Sequence, residues 1–259
     1  MLRSLTLLSF LILATSSFSQ LIKYPKASIT LKIQQSKGTN GCGVAYNPSK
    51  GLYYATFAGN SEFPLEVFDK NGNPVFQTTV GNDIRGFWWN AKTKELEANC
   101  YGNGGLIAMK LNDQGYPSLG NTQVLEGKTL QPNDNTCGAF DGKKLLHYFD
   151  NNSLSMAIYS RKDGSYQKGV LFDIEGFLLE KCNATSLIYT GKKKMEIGLL
   201  NFRDKKIYLF NKKSGELTAT VFLPQTAITH HAFRFAYCNN TVFLYDVNNR
   251  EWKGYQIFE

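Results

Sequence analysis

Residues that carry common hydrolytic chemistry are scarce in this sequence. Its 259 residues include only 3 histidines, and no Gly-x-Ser-x-Gly or His-Glu-x-x-His segment occurs. The first motif places a nucleophilic serine on a strand-to-helix turn, and the second holds a zinc ion. The one adjacent pair, His230 and His231, would point to opposite faces of a strand. The sequence therefore argues against the usual serine hydrolases and zinc peptidases.

Long apolar runs are also missing, apart from one near the N-terminus. Residues 5–14 are apolar, which is too short for a membrane span of about twenty residues. Arg3 precedes this run, and the small residues Ser17 and Ser19 follow it ahead of Gln20. This order is typical of a secretory signal peptide. We expect a signal peptide over residues 1–19, no transmembrane segment, and a single exported domain over residues 20–259, either periplasmic or secreted.

Cysteine is too sparse for a disulfide-stabilised scaffold. The sequence has 5 cysteines, an odd number, spread evenly along the chain. A pairing between Cys137 and Cys182 is conceivable, but a large core needs no such support. We therefore expect mostly reduced, buried thiols.

The chain contains a unit that repeats five times. In each unit, a short apolar strand meets a polar turn and a second strand, and the second strands begin 44, 49, 50 and 47 residues apart, at Leu52, Leu96, Leu145, Met195 and Val242. A second hairpin follows, with a turn such as Asp69-Lys70-Asn71-Gly72 that supplies the positive φ of a tight hairpin. No long helical period occurs, and residues 172–182 are the least strand-like segment.

Four-stranded units at this spacing predict an all-β fold, a five-bladed β-propeller. The fifth unit lacks one strand, and the alternating residues 27–34 can supply it and close the ring. A six-bladed ring is the second interpretation, and a two-domain sandwich is the third.

The units resemble bacterial extracytoplasmic propeller repeats of the NHL and Tyr-Val-Thr-Asn type. The resemblance lies in residues 47–55, Asn-Pro-Ser-Lys-Gly-Leu-Tyr-Tyr-Ala, followed by Val67-Phe68-Asp69 and a glycine turn. Relatives of this type include carriers, binding proteins and metal-dependent lactonases, so the resemblance implies the fold more than an activity.

The segments that lead into the five predicted inner strands share a pattern. A polar residue precedes Cys, Arg or His by two positions, and we place these residues at one mouth of the central channel: Asn40, Cys42, Asp83, Arg85, Asn135, Cys137, Glu180, Cys182 and His231. Three interpretations remain. The small residues and cysteines can simply pack where strands converge. The ring can bind a ligand, with Arg85 as an anion anchor. Alternatively, Cys42, Cys137, Cys182 and a histidine can hold zinc or copper.

Positive charge is concentrated late in the chain. The net charge is +8, and a basic segment contains Lys192, Lys193, Lys194, Arg203, Lys205 and Lys206. Such a segment can attract an anionic partner, or it can keep turns and sheet edges soluble. Nothing in the sequence predicts a platform for nucleic acid.

From these features we expect a non-catalytic protein. The leading hypothesis is a monomeric accessory subunit that docks a protein partner in the cell envelope, such as a periplasmic cap or plug on an outer-membrane transport or secretion complex. The alternatives are a propeller that binds a sugar or small ligand, and a metal-dependent hydrolase of the lactonase sort. The leading hypothesis involves no cofactor, no metal and no catalytic residue.

Overall fold

A computed structural model describes residues 20–127 and 130–259. The predicted signal peptide lies outside the described residues, and so do residues 128 and 129. Within the described ranges, the chain forms five blades of four antiparallel strands, with one further strand on the edge of one blade, and the inner strands of successive blades pack together in a ring. The predicted five-bladed propeller is confirmed.

The N-terminal part of the described chain supplies β1 (Gln20–Lys23) and β2 (Ala27–Lys32). Blades 1 and 2 follow, with strands β3 (Asn40–Asn47), β4 (Leu52–Ala58), β5 (Pro64–Phe68), β6 (Pro74–Thr79), β7 (Ile84–Asn90), β8 (Glu95–Cys100), β9 (Leu106–Leu111) and β10 (Pro117–Leu125). Blade 3 contains β11 (Ala139–Phe140), β12 (Leu145–Asp150), β13 (Ser155–Ser160) and β14 (Tyr166–Leu171). In every blade the first strand of the set is the innermost.

Blade 4 contains β15 (Leu187–Tyr189), β16 (Ile197–Asn201), β17 (Lys206–Phe210) and β18 (Leu217–Phe222), and blade 5 contains β19 (Phe235–Cys238), β20 (Thr241–Asp246) and β21 (Glu251–Gln256). The two helical pieces of the described chain are a single 3-10 turn at Gly102–Gly104 and α1 (Gly176–Leu179). The helix lies in the segment that the sequence marked as least strand-like. No helix in these described parts is long and apolar enough to cross a membrane.

The N-terminal strand closes the ring as predicted. Strand β2 pairs antiparallel with β21 and completes blade 5, for example with Leu31 opposite Trp252. Strand β1 was not predicted: it pairs in parallel with β18 and adds a fifth strand to blade 4. Both pairings cover outer strands that would otherwise offer unpaired backbone groups.

The core lies between the faces of adjacent blades. Alternate residues of each inner strand face opposite neighbours. Val44 packs with the blade 5 side chains Phe243 and Trp252, whereas Ala45 packs with Ile84 and Leu96 of blade 2. Large aromatic side chains fill these interfaces because the blades diverge away from the axis, and aromatic groups bury the most apolar area per residue. This packing holds the inner strands at fixed positions around the channel.

The strand directions define two faces. Because neighbouring strands in a blade are antiparallel, the connections into the inner strands lie on one face, which we call the entry face. The turns that end the inner strands lie on the opposite, exit face, together with the turns between third and fourth strands. On the exit face, side chains of one blade bond the next blade: the Tyr54 hydroxyl donates to the Gly115 carbonyl at 2.7 Å, and the Arg161 Nε donates to Glu97 Oε2 at 2.8 Å.

The inner strands approach so closely that one position admits no side chain. A Cβ placed on Gly86 would meet the Gly138 carbonyl oxygen and lie 2.7 Å from the Gly138 nitrogen. Gly86→Ala is therefore expected to destabilise the fold by about 1–3 kcal/mol, since backbone atoms cannot yield as a flexible side chain can. Gly176→Ala is the control, because its new Cβ would make an ordinary 3.7 Å contact with Leu154. Urea unfolding of both variants measures the difference, and equal midpoints would contradict the close approach.

Candidate functional site

The five inner strands leave a narrow cavity on the propeller axis. Its volume is about 60 Å³, and residues from all five blades line it, among them Cys42, Gly86, Cys137, Tyr189 and Phe235. A cavity of this size holds one ion or a few water molecules. A larger substrate therefore has to be handled at the end of the channel, at the surface.

Two β-bulges shape the entry mouth of this channel. The register of β3 with β4 shifts between Gly41 and Gly43, and the register of β7 with β8 shifts between Ile84 and Gly86. The extra residues of these bulges are Cys42 and Arg85. Bulges re-aim side chains and are frequent beside active sites. They account for the recurring pattern that the sequence shows in blades 1 and 2.

Arg85 is the centre of the entry mouth. Its side chain is buried, and its guanidinium forms a two-pronged ion pair with Asp83, with Nη2 3.2 Å from Oδ2 and Nη1 bonded to Oδ1. Nη1 also donates to the Ile84 carbonyl at 2.9 Å, and Nε donates to Asn135 Oδ1 at 3.2 Å. These four bonds leave one of the five N–H groups of Arg85 for a ligand. The Asp83 side chain is 34% exposed, so its carboxylate is within reach of solvent.

Two aromatic rings cover the Arg85 guanidinium. The Tyr101 ring centroid lies 4.5 Å from the Arg85 Cζ, and the Phe233 ring centroid lies 6.0 Å from it. Tyr101 is 45% exposed, and its backbone N–H is bonded to the Asp83 carbonyl at 2.8 Å. The backbone N–H of Phe233 donates to Thr185 Oγ1 at 2.6 Å, which ties blade 5 to blade 4. The mouth thus combines a carboxylate, a buried cation and an exposed aromatic side chain.

The thiols near the mouth are protonated at neutral pH. Burial raises the pKa of Cys42 well above its ordinary value, and the neighbouring Cys137 adds to this rise. Burial also raises the pKa of Cys100 and of Cys137 to about 12, although the charge of Arg85 acts in the opposite direction on both. None of these three thiols is a nucleophile in this state, because only the thiolate attacks.

The structure brings together five of the nine predicted mouth residues. Cys42, Asp83, Arg85, Asn135 and Cys137 surround the entry end of the channel. Asn40 is the first residue of β3 and is half-buried. All five described cysteines are free thiols, and four of them are buried.

Three predicted residues from blades 4 and 5 do not join this cluster. Glu180 follows α1 and is exposed. Cys182 is buried among core residues between blades 3 and 4, where its Sγ lies 3.8 Å from the Leu178 carbonyl. His231 is exposed and contacts His230 and Phe202. The sequence register was wrong in these blades, because β15 and β19 begin at Leu187 and Phe235, about four residues later than predicted.

The metal interpretation that combined Cys42, Cys137 and Cys182 with a histidine therefore has no geometric basis. No group of three or more His, Cys, Asp or Glu side chains in residues 20–127 and 130–259 is placed to hold a metal ion. Sequence reasoning missed Tyr101 and Phe233. The one local signal for Tyr101 was its position in the turn that ends at Gly105, next to Cys100.

The predicted basic segment does not form one surface. Lys192, Lys193 and Lys194 lie in the turn between β15 and β16 on the exit face. Arg203 and Lys205 lie in the turn between β16 and β17, and Lys206 begins β17, all towards the entry face. The predicted partner site is therefore divided between opposite faces of the disc, because successive turns of a blade alternate between them.

Comparison with known proteins gives a fold and no family. No protein-family description matches the chain, and no curated protein matches it. Among solved structures, the crystal structure of Myxococcus xanthus glutaminyl cyclase is similar, with a TM-score of 0.56 and 11% sequence identity. The match covers 93% of this chain and 100% of that chain. This similarity shows the propeller fold. No family match supports the NHL or Tyr-Val-Thr-Asn type specifically.

The expectation of a non-catalytic accessory subunit is wrong. It assumed that a propeller without a catalytic sequence motif serves as a disc for protein docking, whereas a solved propeller that is similar to this chain is named as an enzyme. Function depends on the geometry of a site on the fold, so a propeller can be an enzyme without a contiguous catalytic motif. The basic segment that supported the docking hypothesis is also divided between the two faces.

Proposed function

We propose that this chain is a propeller enzyme with its active site at the entry mouth, and that it converts N-terminal glutamine of peptides to a cyclic lactam. The reaction class comes from the name of the similar propeller, a glutaminyl cyclase. The observation that carries the proposal is the entry-mouth cluster, in which the partly exposed Asp83 carboxylate is held by Arg85 next to the exposed Tyr101 ring.

The reaction needs one proton to move from the amine to the leaving group. The α-amine nitrogen attacks the carbonyl carbon of the side-chain amide and forms a new C–N bond. The old C–N bond of the amide then breaks, and ammonia leaves. Asp83 accepts the proton from the amine and returns it to the departing nitrogen. This role of a general base and acid requires a carboxylate that is fixed in position and keeps a lone pair for the proton. The Arg85 ion pair holds both Asp83 oxygens, and the second lone pair of Oδ2 accepts the proton.

The other mouth residues hold the substrate. The free N–H of Arg85 faces the developing negative charge on the amide oxygen, where a fixed donor stabilises the transition state most. Tyr101 covers the apolar stem of the glutamine side chain. The 60 Å³ cavity is too small for a glutamine residue, so the N-terminal residue is held at the entry mouth and the rest of the peptide lies outside.

Asp83→Asn is expected to reduce kcat by at least about 100-fold, since general acid–base groups contribute about 10²–10⁴-fold. The substrate is a synthetic peptide with N-terminal glutamine, and loss of ammonia is followed by mass spectrometry. Asp163→Asn is the matched control, because Asp163 is a carboxylate in an exit-face turn that also bonds its own loop. The control is expected to keep full activity.

Two results would overturn the proposal at different levels. If the wild-type protein does not cyclise N-terminal glutamine, the reaction is wrong. If it does, and Asp83→Asn is as active as Asp163→Asn, the reaction stands and the entry mouth is not its site. Circular dichroism of both variants shows whether the fold is retained.

A further inference from the structure

Two buried thiols from different blades face the same axial cavity. Cys42 is 5% exposed and Cys137 is 4% exposed, and both line the 60 Å³ space between the inner strands. Cys42 is the extra residue of the blade 1 bulge, and Cys137 directly precedes the blade 3 residue Gly138, which contacts Gly86. Cys182 and Cys238 line no part of this cavity. The proposed reaction uses neither of the two cavity thiols.

We infer that Cys42 and Cys137 bind a soft monovalent metal ion, with copper(I) as the ion of choice, in the axial cavity. Thiolate sulfur is a soft ligand that selects copper(I) among the first-row metals. Structural zinc sites take four ligands, and the described residues offer no third cysteine, histidine or carboxylate placed to complete such a set. Two sulfur ligands suffice for copper(I), because a closed-shell monovalent ion is stable with two ligands in a line.

Burial disfavours an anionic metal–thiolate group, and the Arg85 guanidinium is the cation that offsets part of this effect. Binding releases both thiol protons to solvent, and the product, one copper(I) with two thiolates, has a charge of −1. The Arg85 guanidinium is close enough to lower the pKa of both thiols, whereas the Asp83 carboxylate raises only that of Cys42. Arg85 thus offsets the single negative charge of the copper(I)–thiolate group. Two thiolates without a metal ion would carry two negative charges in the same buried cavity.

The cavity size agrees with this ion. Its 60 Å³ exceeds the ~10–15 Å³ that one water molecule needs, and it is too small for an organic cofactor. Glycines at positions 43, 86 and 138 also line the cavity. The site does not depend on the proposed cyclase reaction.

The test is an anaerobic titration of the purified full chain with copper(I) against a chromophoric copper(I) chelator. Wild-type protein is expected to bind one copper ion, and X-ray absorption is expected to show sulfur as the sole ligand type. Removing a group that hydrogen-bonds a metal ligand typically lowers metal affinity by about 10–100-fold. Cys42→Ser or Cys137→Ser removes a ligand itself, so each should lower the copper(I) affinity by at least about 100-fold. Cys182→Ser is the matched control, a buried thiol outside the cavity, and should bind as the wild type does.

The outcomes separate the proposal from its alternatives. Copper(I) bound with equal affinity by Cys42→Ser and wild type would overturn it, and so would binding lost in Cys182→Ser. No binding by the wild type at all would overturn it too. Since a core cysteine variant can fold poorly, thermal melting of each apoprotein is recorded, and Cys42→Ala and Cys137→Ala serve as second variants.

Discussion

Glu97→Leu is expected to destabilise the protein by about 3–5 kcal/mol, because it removes the acceptor of a buried ion pair between blades 2 and 3. Glu97 is fully buried on β8, and both of its oxygens are bonded to Arg161, which comes from the exit-face turn of blade 3. The same carboxylate accepts from Trp88 Nε1 at 3.1 Å and from Asn90 Nδ2 at 2.8 Å. Its loss leaves four N–H groups without this acceptor, two of Arg161 and one each of Trp88 and Asn90, and the last two side chains are buried.

A double-mutant cycle tests this ion pair. Arg161→Leu alone leaves a buried carboxylate without its cation, and its cost should be of similar size. The double variant Glu97→Leu/Arg161→Leu should cost clearly less than the sum, with a coupling energy of about 1–3 kcal/mol. Urea unfolding gives all three values.

The control is Glu251→Gln, since the pair of Glu251 with Lys253 is longer, at 3.9 Å, and the Lys253 side chain is 44% exposed. This change should stay within about 0.5 kcal/mol. A cost below about 1 kcal/mol for Glu97→Leu would show that the buried pair does not hold blades 2 and 3 together.

His147 is expected to make the stability of the fold fall steeply between pH 6.5 and pH 4. Burial lowers its pKa to about 4, with Lys212 adding to the decrease and Asp141 and Glu196 opposing it. The residue is fully buried on β12, and its ring stacks on that of Tyr189 at 5.6 Å. In this pH window the unfolded chain binds a proton on His147 and the folded chain does not.

Since stability rises with pH wherever the unfolded state binds more protons, the sign is a loss of stability on acidification. The shift from 6.5 to about 4 corresponds to roughly 3 kcal/mol. Urea unfolding at a series of pH values measures it. In His147→Phe, which keeps a planar ring against Tyr189, the decrease should shrink to a small remainder.

His230 provides the control for this pH dependence. Its pKa is also lowered by burial, but it is only partly buried, so His230→Asn should remove a much smaller part of the slope. The carboxyl of Asp141 also has a lowered pKa, because three backbone N–H groups donate to it. Its contribution to the free energy of unfolding is lost only below this pH window. An unchanged pH profile in His147→Phe would contradict the buried neutral imidazole.

Much of the fold was predictable because it depends on local chemistry. The alternation in residues 27–34 and the turn residues after Asp69 act within one hairpin, and they specified the strands, the five blades and the closure by β2. In blades 1 to 3, the spacing from the polar residue to Cys42, Arg85 and Cys137 also located five of the nine predicted mouth residues. In blades 1 and 2 a bulge displaces Cys42 and Arg85 in the same way.

The rest depended on how blades pack, which no local pattern encodes. Long connections precede β15 and β19, and packing against the neighbouring blades determines where these two strands begin. Glu180, Cys182 and His231 were misplaced for this reason. Tyr101 and Phe233 meet over Arg85 although 132 positions separate them, because the ring brings blades 2 and 5 to one mouth. The alternation of turns between two faces divided the basic segment. The sequence by itself determined the strands and the number of blades through local periodicity, whereas only the closed ring decided which side chains share the entry mouth and the axial cavity.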